Sequence, residues 1–230
     1  MPKLSVLIPV YNEEQTILPL LERVKAAKIS IDKEILVVDD GSTDRTRDLL
    51  RSVWDDPELT IEFLDQNVGR GGVLKHLWTR LSGDIIVHQD ADLEYDPNEY
   101  QALLQPILRD GADVVYGSRF KGTIEGMRGL NSVGNRAMTH MCRLLYGVDI
   151  SDLMTCYKMY RTSLLDGLRI AANGFDFEAE FTARLAQRGG RFAEVPITFV
   201  GRTFAEGKKI RAYDAVRVIR RLIASKFGRE

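Results

Sequence analysis

Residues 34–42 read EILVVDDGS, a short apolar run followed by two carboxylates, a glycine and a serine. A continuous apolar run of this length is typical of a strand buried on both faces of a parallel sheet. The glycine favours a turn, and Ser42 or Thr43 is suited to cap the helix that follows. This strand–turn–helix unit predicts an α/β fold.

The same alternation continues on both sides of this unit. Apolar runs at 4–10, 60–64, 84–88 and 113–116 predict further buried strands, with helical patterns between them. The second half is less regular, and its patterns predict helices at 132–146, 176–188 and 211–227, an edge strand at 154–160 and a strand at 192–199. The order predicts a Rossmann-like domain with a mostly parallel central sheet flanked by helices.

Two segments lack such patterns. The Gly-rich stretch 121–131 predicts a mobile loop, and residues 201–209 predict a second loop. We find no repeat, low-complexity tract or linker, which indicates a single domain over residues 1–230.

Composition excludes several classes of protein. The 230 residues are 44% hydrophobic and 28% charged, which is ordinary for a soluble globular protein and excludes disordered or collagen-like chains. A net charge of -1 excludes a bulk basic field for nucleic acid. The two cysteines, Cys142 and Cys156, exclude a disulfide framework and indicate a reducing compartment. With no signal-peptide pattern and no apolar stretch of about 20 residues, we expect a cytoplasmic protein.

The C-terminal end is basic. Residues 202–230 hold nine Lys or Arg against three acidic residues, a net charge of +6. The predicted helix 211–227 interleaves apolar side chains with arginines at helical spacing. Such a helix either lies on an anionic membrane surface or packs on the domain with its basic face in water.

Acidic residues follow two of the predicted strands. Asp39 and Asp40 follow the strand at 34–38, and Asp90 and Asp92 follow the strand at 84–88. Ligands of open α/β sheets bind beyond the carboxyl ends of the strands, so both pairs should face one crevice. Carboxylates two residues apart suit Mg²⁺ or Mn²⁺, which takes further ligands from phosphates and water. The alternative for the D-x-D pair is a solvated turn.

The glycines give a different signal. No G-x-G-x-x-G and no Walker lysine follows the first strand, which counts against a dinucleotide oxidoreductase or a P-loop enzyme. Residues 69–72 (GRGG) open a predicted helix and are suited either to approach an anion or to form a tight turn.

Together the motifs resemble glycosyltransferase family 2 with the GT-A fold. The matching pieces follow the family's order and are VLIPVYNEE (6–14), ILVVDDGSTDRT (35–46), QDADLEYDP (89–97), YGSRF (116–120) and EVPITFVGRTFAEGKKI (194–210). The later pieces are most similar to the branch of dolichyl-phosphate mannose synthases and bacterial polyprenyl-phosphate glycosyltransferases. The resemblance implies a nucleotide-sugar-binding half (1–120), an acceptor-side half with mobile loops (121–210) and a basic amphipathic helix (211–230).

The resemblance also implies site residues. Those expected to bind the nucleotide-sugar donor are Pro9, Tyr11, Glu13, Val38, Asp40, Asp90, Ala91, Asp92, Glu94, Arg119, Arg202 and Lys208. Asp90, Asp92 and Glu94 would hold the metal, although mannose synthases more often have Gln at the position of Glu94. The catalytic set would be Asp92, Arg119 and Arg202. For Val38, core packing is an equal alternative.

On the acceptor side, Arg128 and Ser132 match the R-x-x-x-S segment that binds the acceptor phosphate in this branch. A polyprenyl phosphate is already ionised near neutral pH, because its second pKa is about 6. It therefore requires no strong general base. For a hydroxyl acceptor, Asp152 and Glu178 stay open as bases, with a structural role as their alternative.

These residues lead to the hypothesis of an inverting, metal-dependent glycosyltransferase that moves a hexose from a nucleotide-diphosphate sugar to a polyprenyl phosphate. A hydroxyl acceptor on a soluble molecule or a glycolipid is the first alternative. A non-catalytic nucleotide-sugar-binding subunit is another, although it predicts a damaged D-x-D motif and both aspartates are present. We expect a peripheral contact with the cytoplasmic membrane face, or a separate membrane partner protein, and no nucleic-acid partner.

Overall fold

A computed structural model describes residues 2–126, 129–202 and 212–227. Its strands are β1 (Lys3–Val10), β2 (Asp32–Asp39), β3 (Leu59–Phe63), β4 (Ile85–His88), β5 (Val114–Glu125), β6 (Lys158–Arg161) and β7 (Phe192–Val200). Its α-helices are α1 (Ile17–Ala26), α2 (Thr46–Ser52), α3 (Arg70–Leu77), α4 (Tyr100–Arg109), α5 (Gly129–Tyr146), α6 (Phe177–Gln187) and α7 (Ala212–Phe227). Short 3₁₀ turns span Pro97–Glu99 and Thr162–Leu165.

The seven strands form one sheet in the order β3-β2-β1-β4-β6-β5-β7. All neighbouring pairs are parallel except those of β6, which runs antiparallel to both β4 and β5. The predicted α/β domain with a mostly parallel sheet and flanking helices is therefore confirmed, and the C-terminal helix is present.

The prediction of an edge strand at 154–160 is wrong. The strand begins at Lys158 and lies in the interior of the sheet, between β4 and β5. A lysine in a short mixed stretch favours an edge assignment, because an unpaired buried ammonium is very unfavourable. Here the Lys158 side chain is 0% exposed and is stabilised by internal partners.

The prediction of a loop at 121–131 is also wrong for residues 121–125, which belong to strand β5. Strand β5 continues to Glu125 and resumes its pairing with β7 after a register shift between Ser118 and Thr123. Gly122 allows this, since a Cβ there would lie only 2.0 Å from the backbone oxygen of Ile197. A glycine at such a point marks a close backbone approach rather than a loop.

Two hydrophobic layers enclose the sheet. In β1, Val6 and Ile8 face a layer that includes α1 and α4, whereas Leu7 faces a layer that includes α3, α5, α6 and α7. Both layers are buried, so the strands read as continuous apolar runs, as parallel strands do. This packing aligns the carboxyl ends of β1, β2 and β4 at one edge of the sheet.

Candidate functional site

The loops after β1 and β2 are joined by hydrogen bonds at this edge. The Asn12 N–H donates to Ser42 Oγ at 2.9 Å, and the Glu13 N–H donates to Thr46 Oγ1 at 2.8 Å. The Thr43 N–H donates to the side-chain oxygen of Asn12 at 2.8 Å. These hydrogen bonds hold the loop that contains Glu13 against the loop that follows Asp39 and Asp40.

The same edge contains strained backbone. Among the described residues, the non-glycine positions with positive φ are Asn12, at 54°, and Leu93, at 63°. Asparagine tolerates this region, but for leucine it costs about 1–2 kcal/mol. Leu93 stands between Asp92 and Glu94, whose N–H donates to Asp92 Oδ1 at 3.2 Å. Strained residues of this kind cluster at functional sites.

Arg202 brings three of the expected site residues together. Its guanidinium donates to the two oxygens of Glu13 at 2.8 and 3.0 Å and to Asp92 Oδ2 at 3.3 Å. Its backbone N–H donates to Glu94 Oε1 at 2.8 Å. We call Glu13, Asp90, Asp92 and Glu94 the carboxylate cluster, and Arg202 lies against it.

The carboxylate cluster carries excess negative charge. Burial raises the pKa of Asp92 to about 8, with the charges of Asp90 and Glu94 adding to the rise and Arg202 opposing it. Arg202 therefore compensates only part of the negative charge around Asp92. Hard oxygen donors with this surplus fit Mg²⁺ or Mn²⁺.

The expected three-carboxylate ligand set is not formed. Within the described parts of the chain, no three His, Cys, Asp or Glu side chains are grouped as metal ligands. Glu94 instead binds the backbone of Arg202. Asp90 and Asp92 suit an ion that takes its other ligands from phosphates and water.

Arg70 is a further residue of the candidate site, and its only signal in the sequence is the GRGG turn. Its Nε donates to Asp90 Oδ1 at 2.8 Å. Residues 69–72 thus bring a cation to the carboxylate cluster.

Other expected donor residues line or support this edge. Pro9 and Tyr11 are half-buried. Asp40 is buried and accepts hydrogen bonds from two backbone N–H groups of the turn before α3, at 2.7 and 3.0 Å. Ala91 is buried in the hydrophobic core, and so is Val38 in the layer on the other face of the sheet. The contacts of Val38 are those of core packing.

Arg119 pairs with a carboxylate that is not part of the carboxylate cluster. Its Nε and Nη2 donate to the two oxygens of Asp152 at 2.7 and 2.8 Å, and its guanidinium lies 5.1 Å from the ring centroid of Phe199. Asn135 of α5 completes this group by donating to Asp152 at 2.6 Å. Arg119 is thus held inside the domain.

The remaining expected residues are only partly described. Arg128 and Lys208 lie outside the described residues. Ser132 lies in the first turns of α5 and is half-buried.

Comparisons with known proteins identify the family. The model of the family described as Glycosyl transferase family 2 matches residues 5–169. The chain is 31% identical, over 90% of its length and 87% of the relative's, to an undecaprenyl-phosphate mannosyltransferase of Micrococcus luteus. It is 30% identical, over 90% of its length, to an undecaprenyl-phosphate 4-deoxy-4-formamido-L-arabinose transferase of Erwinia tasmaniensis, of which it spans 62%. These relatives confirm the resemblance to the polyprenyl-phosphate branch.

The fold recurs in a solved structure. Glucosyl-3-phosphoglycerate synthase of Mycobacterium tuberculosis, in complex with Mn²⁺, UDP and glucosyl-3-phosphoglycerate, aligns with all of this chain and 81% of its own at a TM-score of 0.75. At 22% sequence identity this likeness shows the fold. With the family match and the two relatives, it leads to one conclusion: the chain belongs to glycosyl transferase family 2 and is a glycosyltransferase.

Proposed function

We propose that the protein transfers a hexose from a nucleotide-diphosphate sugar to a polyprenyl phosphate, with inversion at the anomeric carbon and with Mg²⁺ or Mn²⁺. A single displacement by the acceptor oxygen inverts the configuration. The observation that carries the proposal is the contact of Arg202 with the carboxylate cluster, where Arg202 joins Glu13 and Asp92 from distant motifs.

Asp90 and Asp92 are the residues that would hold the metal. When bound, the metal would neutralise charge on the diphosphate leaving group as the glycosidic bond breaks. A solved protein of the same fold holds Mn²⁺ and UDP, which supports the use of a divalent metal.

Arg202 is placed to exchange its partners when the donor arrives. Without the donor it pairs with Glu13 and with Asp92. A diphosphate offers this guanidinium more negative charge than either carboxylate and accepts bidentate hydrogen bonds. Movement of Arg202 to the diphosphate would free Glu13 to accept hydrogen bonds from the ribose hydroxyls.

The state of the two candidate bases supports a phosphate acceptor. Although burial opposes the shift, Arg119 holds the pKa of Asp152 below its usual value. Burial likewise opposes the shift at Glu178, yet Lys158 and Arg70 lower its pKa to about 2. Both carboxylates are structural partners of cations and are poor bases. A phosphate acceptor needs no base, and two relatives are named as undecaprenyl-phosphate transferases.

The proposal includes a membrane contact through α7, which packs against α5 and α6. Its inner face buries Val218 and Leu222, whereas Val216, Ile223 and Phe227 are 53%, 45% and 74% exposed on the outer side. Their spacing aligns them on one stripe of the helix. Among the described residues, none of the helices has the length and apolarity to cross a membrane. Exposed arginines beside the stripe suit an anionic lipid surface.

The transfer itself is tested with labelled GDP-, UDP- and dTDP-hexoses, Mn²⁺ and vesicles that contain undecaprenyl phosphate. We expect label from one donor to enter the organic phase, and no transfer by the Asp92→Asn variant. Label that appears only in water-soluble acceptors would overturn the polyprenyl-phosphate acceptor and favour the hydroxyl alternative.

The membrane contact is tested by sedimentation with phosphatidylglycerol vesicles. The protein should pellet at low salt and be released at high salt, because salt screens the basic side chains. Ile223→Ser should weaken binding. Leu108→Ser is the matched control, since Leu108 is an exposed leucine on α4, across the sheet. Equal binding by both variants would contradict a contact through α7.

A further inference from the structure

Arg70 is fixed in place by the backbone around it. It is the first residue of α3 and follows Gly69, whose φ is +81°. The carboxylate of Asp40 accepts two N–H groups of this turn, and the N–H of Gly71 donates to the backbone oxygen of Asn173 at 2.8 Å. The turn is held from both sides, so the Arg70 side chain leaves it in a defined direction.

The guanidinium of Arg70 bridges two carboxylates. Its Nε donates to Asp90 Oδ1 at 2.8 Å, and its Nη1 contacts Glu178 of α6. Glu178 is almost fully buried, whereas Asp90 is partly open to the site. Arg70 thus connects a carboxylate of the site with one in the interior.

A buried lysine holds the inner end of this chain. The second oxygen of Glu178 contacts Lys158 Nζ, which also donates to the backbone oxygens of Leu153 at 2.9 Å and Thr155 at 2.6 Å. Lys158 belongs to the central strand β6. Arg70 is therefore anchored on the sheet and on α6 as well as on its own turn.

We infer that Arg70, anchored by Glu178 and Lys158, is a positioning residue that fixes the rotation of the Asp90 carboxylate for metal binding. The inference rests on the proposed function, since it requires Asp90 to be a metal ligand. A carboxylate with one oxygen held by an anchored cation has one orientation to present to a metal. Partners that orient metal ligands in this way typically contribute tenfold or more to metal affinity.

Positioning and simple electrostatics predict opposite results. Removal of the Arg70 charge leaves the carboxylate cluster more negative, so charge alone predicts tighter metal binding. Loss of positioning predicts weaker binding, because Asp90 becomes free to rotate and to pair elsewhere. The direction of the change in metal affinity decides between the two.

The experiment measures Mn²⁺ binding to the full chain without donor or acceptor, by the electron paramagnetic resonance of free Mn²⁺. We expect Arg70→Met to raise the dissociation constant about tenfold or more. Arg47→Met is the matched control, because Arg47 pairs with the buried Asp39 at the end of β2, with its side chain 27% exposed against 23% for Arg70. Its Mn²⁺ affinity should be unchanged.

A second variant, Arg70→Lys, keeps the inference testable if Arg70→Met does not fold. Arg70→Lys keeps the charge but lacks the fork that reaches Asp90 and Glu178 together. Positioning predicts weaker Mn²⁺ binding by this variant, whereas charge alone predicts wild-type affinity. In transfer assays at saturating Mn²⁺, kcat should fall while KM for the donor stays near the wild-type value.

Three results would overturn the inference. The first is Mn²⁺ binding by both Arg70 variants that is equal to or tighter than that of the wild type, and the second is an equal loss of Mn²⁺ affinity in Arg47→Met. The third is that the wild type shows no Mn²⁺ binding that depends on Asp92, as judged with Asp92→Asn. The first two leave the proposed function intact. Weaker binding in the Arg70 variants together with no glycosyl product would instead support the positioning role and count against the transfer reaction.

Discussion

Asp152 and Asp92 are both largely buried, but their pKa values are shifted in opposite directions. The side chain of Asp152 is 0% exposed and that of Asp92 is 16% exposed, so both are largely removed from water. Nevertheless the pKa of Asp152 is lowered and that of Asp92 is raised to about 8, with burial raising both. The partners supplied by the chain account for the difference.

Asp152 has a complete set of partners. Arg119 binds both of its oxygens, the Arg119 backbone N–H donates at 3.1 Å, and Asn135 adds a further hydrogen bond. Asp92 shares one guanidinium, that of Arg202, with Glu13, and has two carboxylates as neighbours in sequence. The comparison indicates that the chain neutralises Asp152 by itself, whereas Asp92, the proposed metal ligand, lacks a complete set of partners in the chain.

The largest effect on stability is expected from breaking the ion pair between Arg119 and Asp152. Asp152→Ala leaves the buried guanidinium of Arg119 without its carboxylate. Loss of one partner of a buried ion pair costs about 3–5 kcal/mol. The free energy of unfolding, measured with urea, should fall by that amount. Asp92→Ala should leave it unchanged or higher, because the mutation relieves repulsion.

The double variant Arg119→Met/Asp152→Leu is the control for this prediction. Replacement of both members of a buried pair by apolar side chains is often neutral. It should therefore recover most of the stability lost in Asp152→Ala. Stability of Asp152→Ala near the wild-type value would contradict the structural role assigned to this pair.

A smaller effect on stability is expected when Mn²⁺ and the donor nucleotide bind at Asp92. A ligand that binds only the folded state at 100 times its dissociation constant adds about 2.7 kcal/mol. Mn²⁺ together with the donor nucleotide should raise the melting temperature of the wild type. Asp92→Asn should lose this shift, whereas Glu58→Gln, a change at an exposed residue before β3, should retain it. An equal shift in Asp92→Asn would contradict the metal role of Asp92.

Much of this arrangement is predictable from the sequence because its signals are local. Residues 34–42 and 84–92 each contain an apolar run followed within three residues by a carboxylate, and in a parallel sheet such residues share one edge. Strands β2 and β4 lie on either side of β1, so both motifs reach the same site. Strand end, turn and acidic side chain all fall within nine residues in each case.

The rest depends on partners distant in the chain. Lys158 lies in a central strand because Glu178 and two carbonyls compensate it, and no local pattern shows that compensation. Arg119 has the residue type expected for a donor site, but its partner Asp152 lies 33 residues further on. Glu13 and Arg202 pair across 189 residues. Such contacts become visible only when the sheet brings them together.

The smallest effect is the pH dependence of stability, which tests whether the pKa of Asp92 is raised while that of Asp152 is lowered. The pKa of Asp92 is about 8 in the folded protein and about 3.9 when unfolded. Between these values the folded state binds one proton that the unfolded state does not, so the free energy of unfolding falls as pH rises. The contribution of Asp92 is complete below about pH 4 and is lost through about pH 8.

In metal-free protein with EDTA, the wild type should therefore lose stability relative to Asp92→Asn between pH 6 and pH 7. The difference is at most about 1.4 kcal/mol for this one group. Asp40 and Glu99, whose pKa values burial also raises, cancel because both proteins contain them. With saturating Mn²⁺ the sign should reverse, since a metal binds the deprotonated carboxylate and releases its proton. Parallel stability curves for the two proteins in EDTA would mean that Asp92, like Asp152, is already neutralised by the chain, and the distinction between the two aspartates would fail.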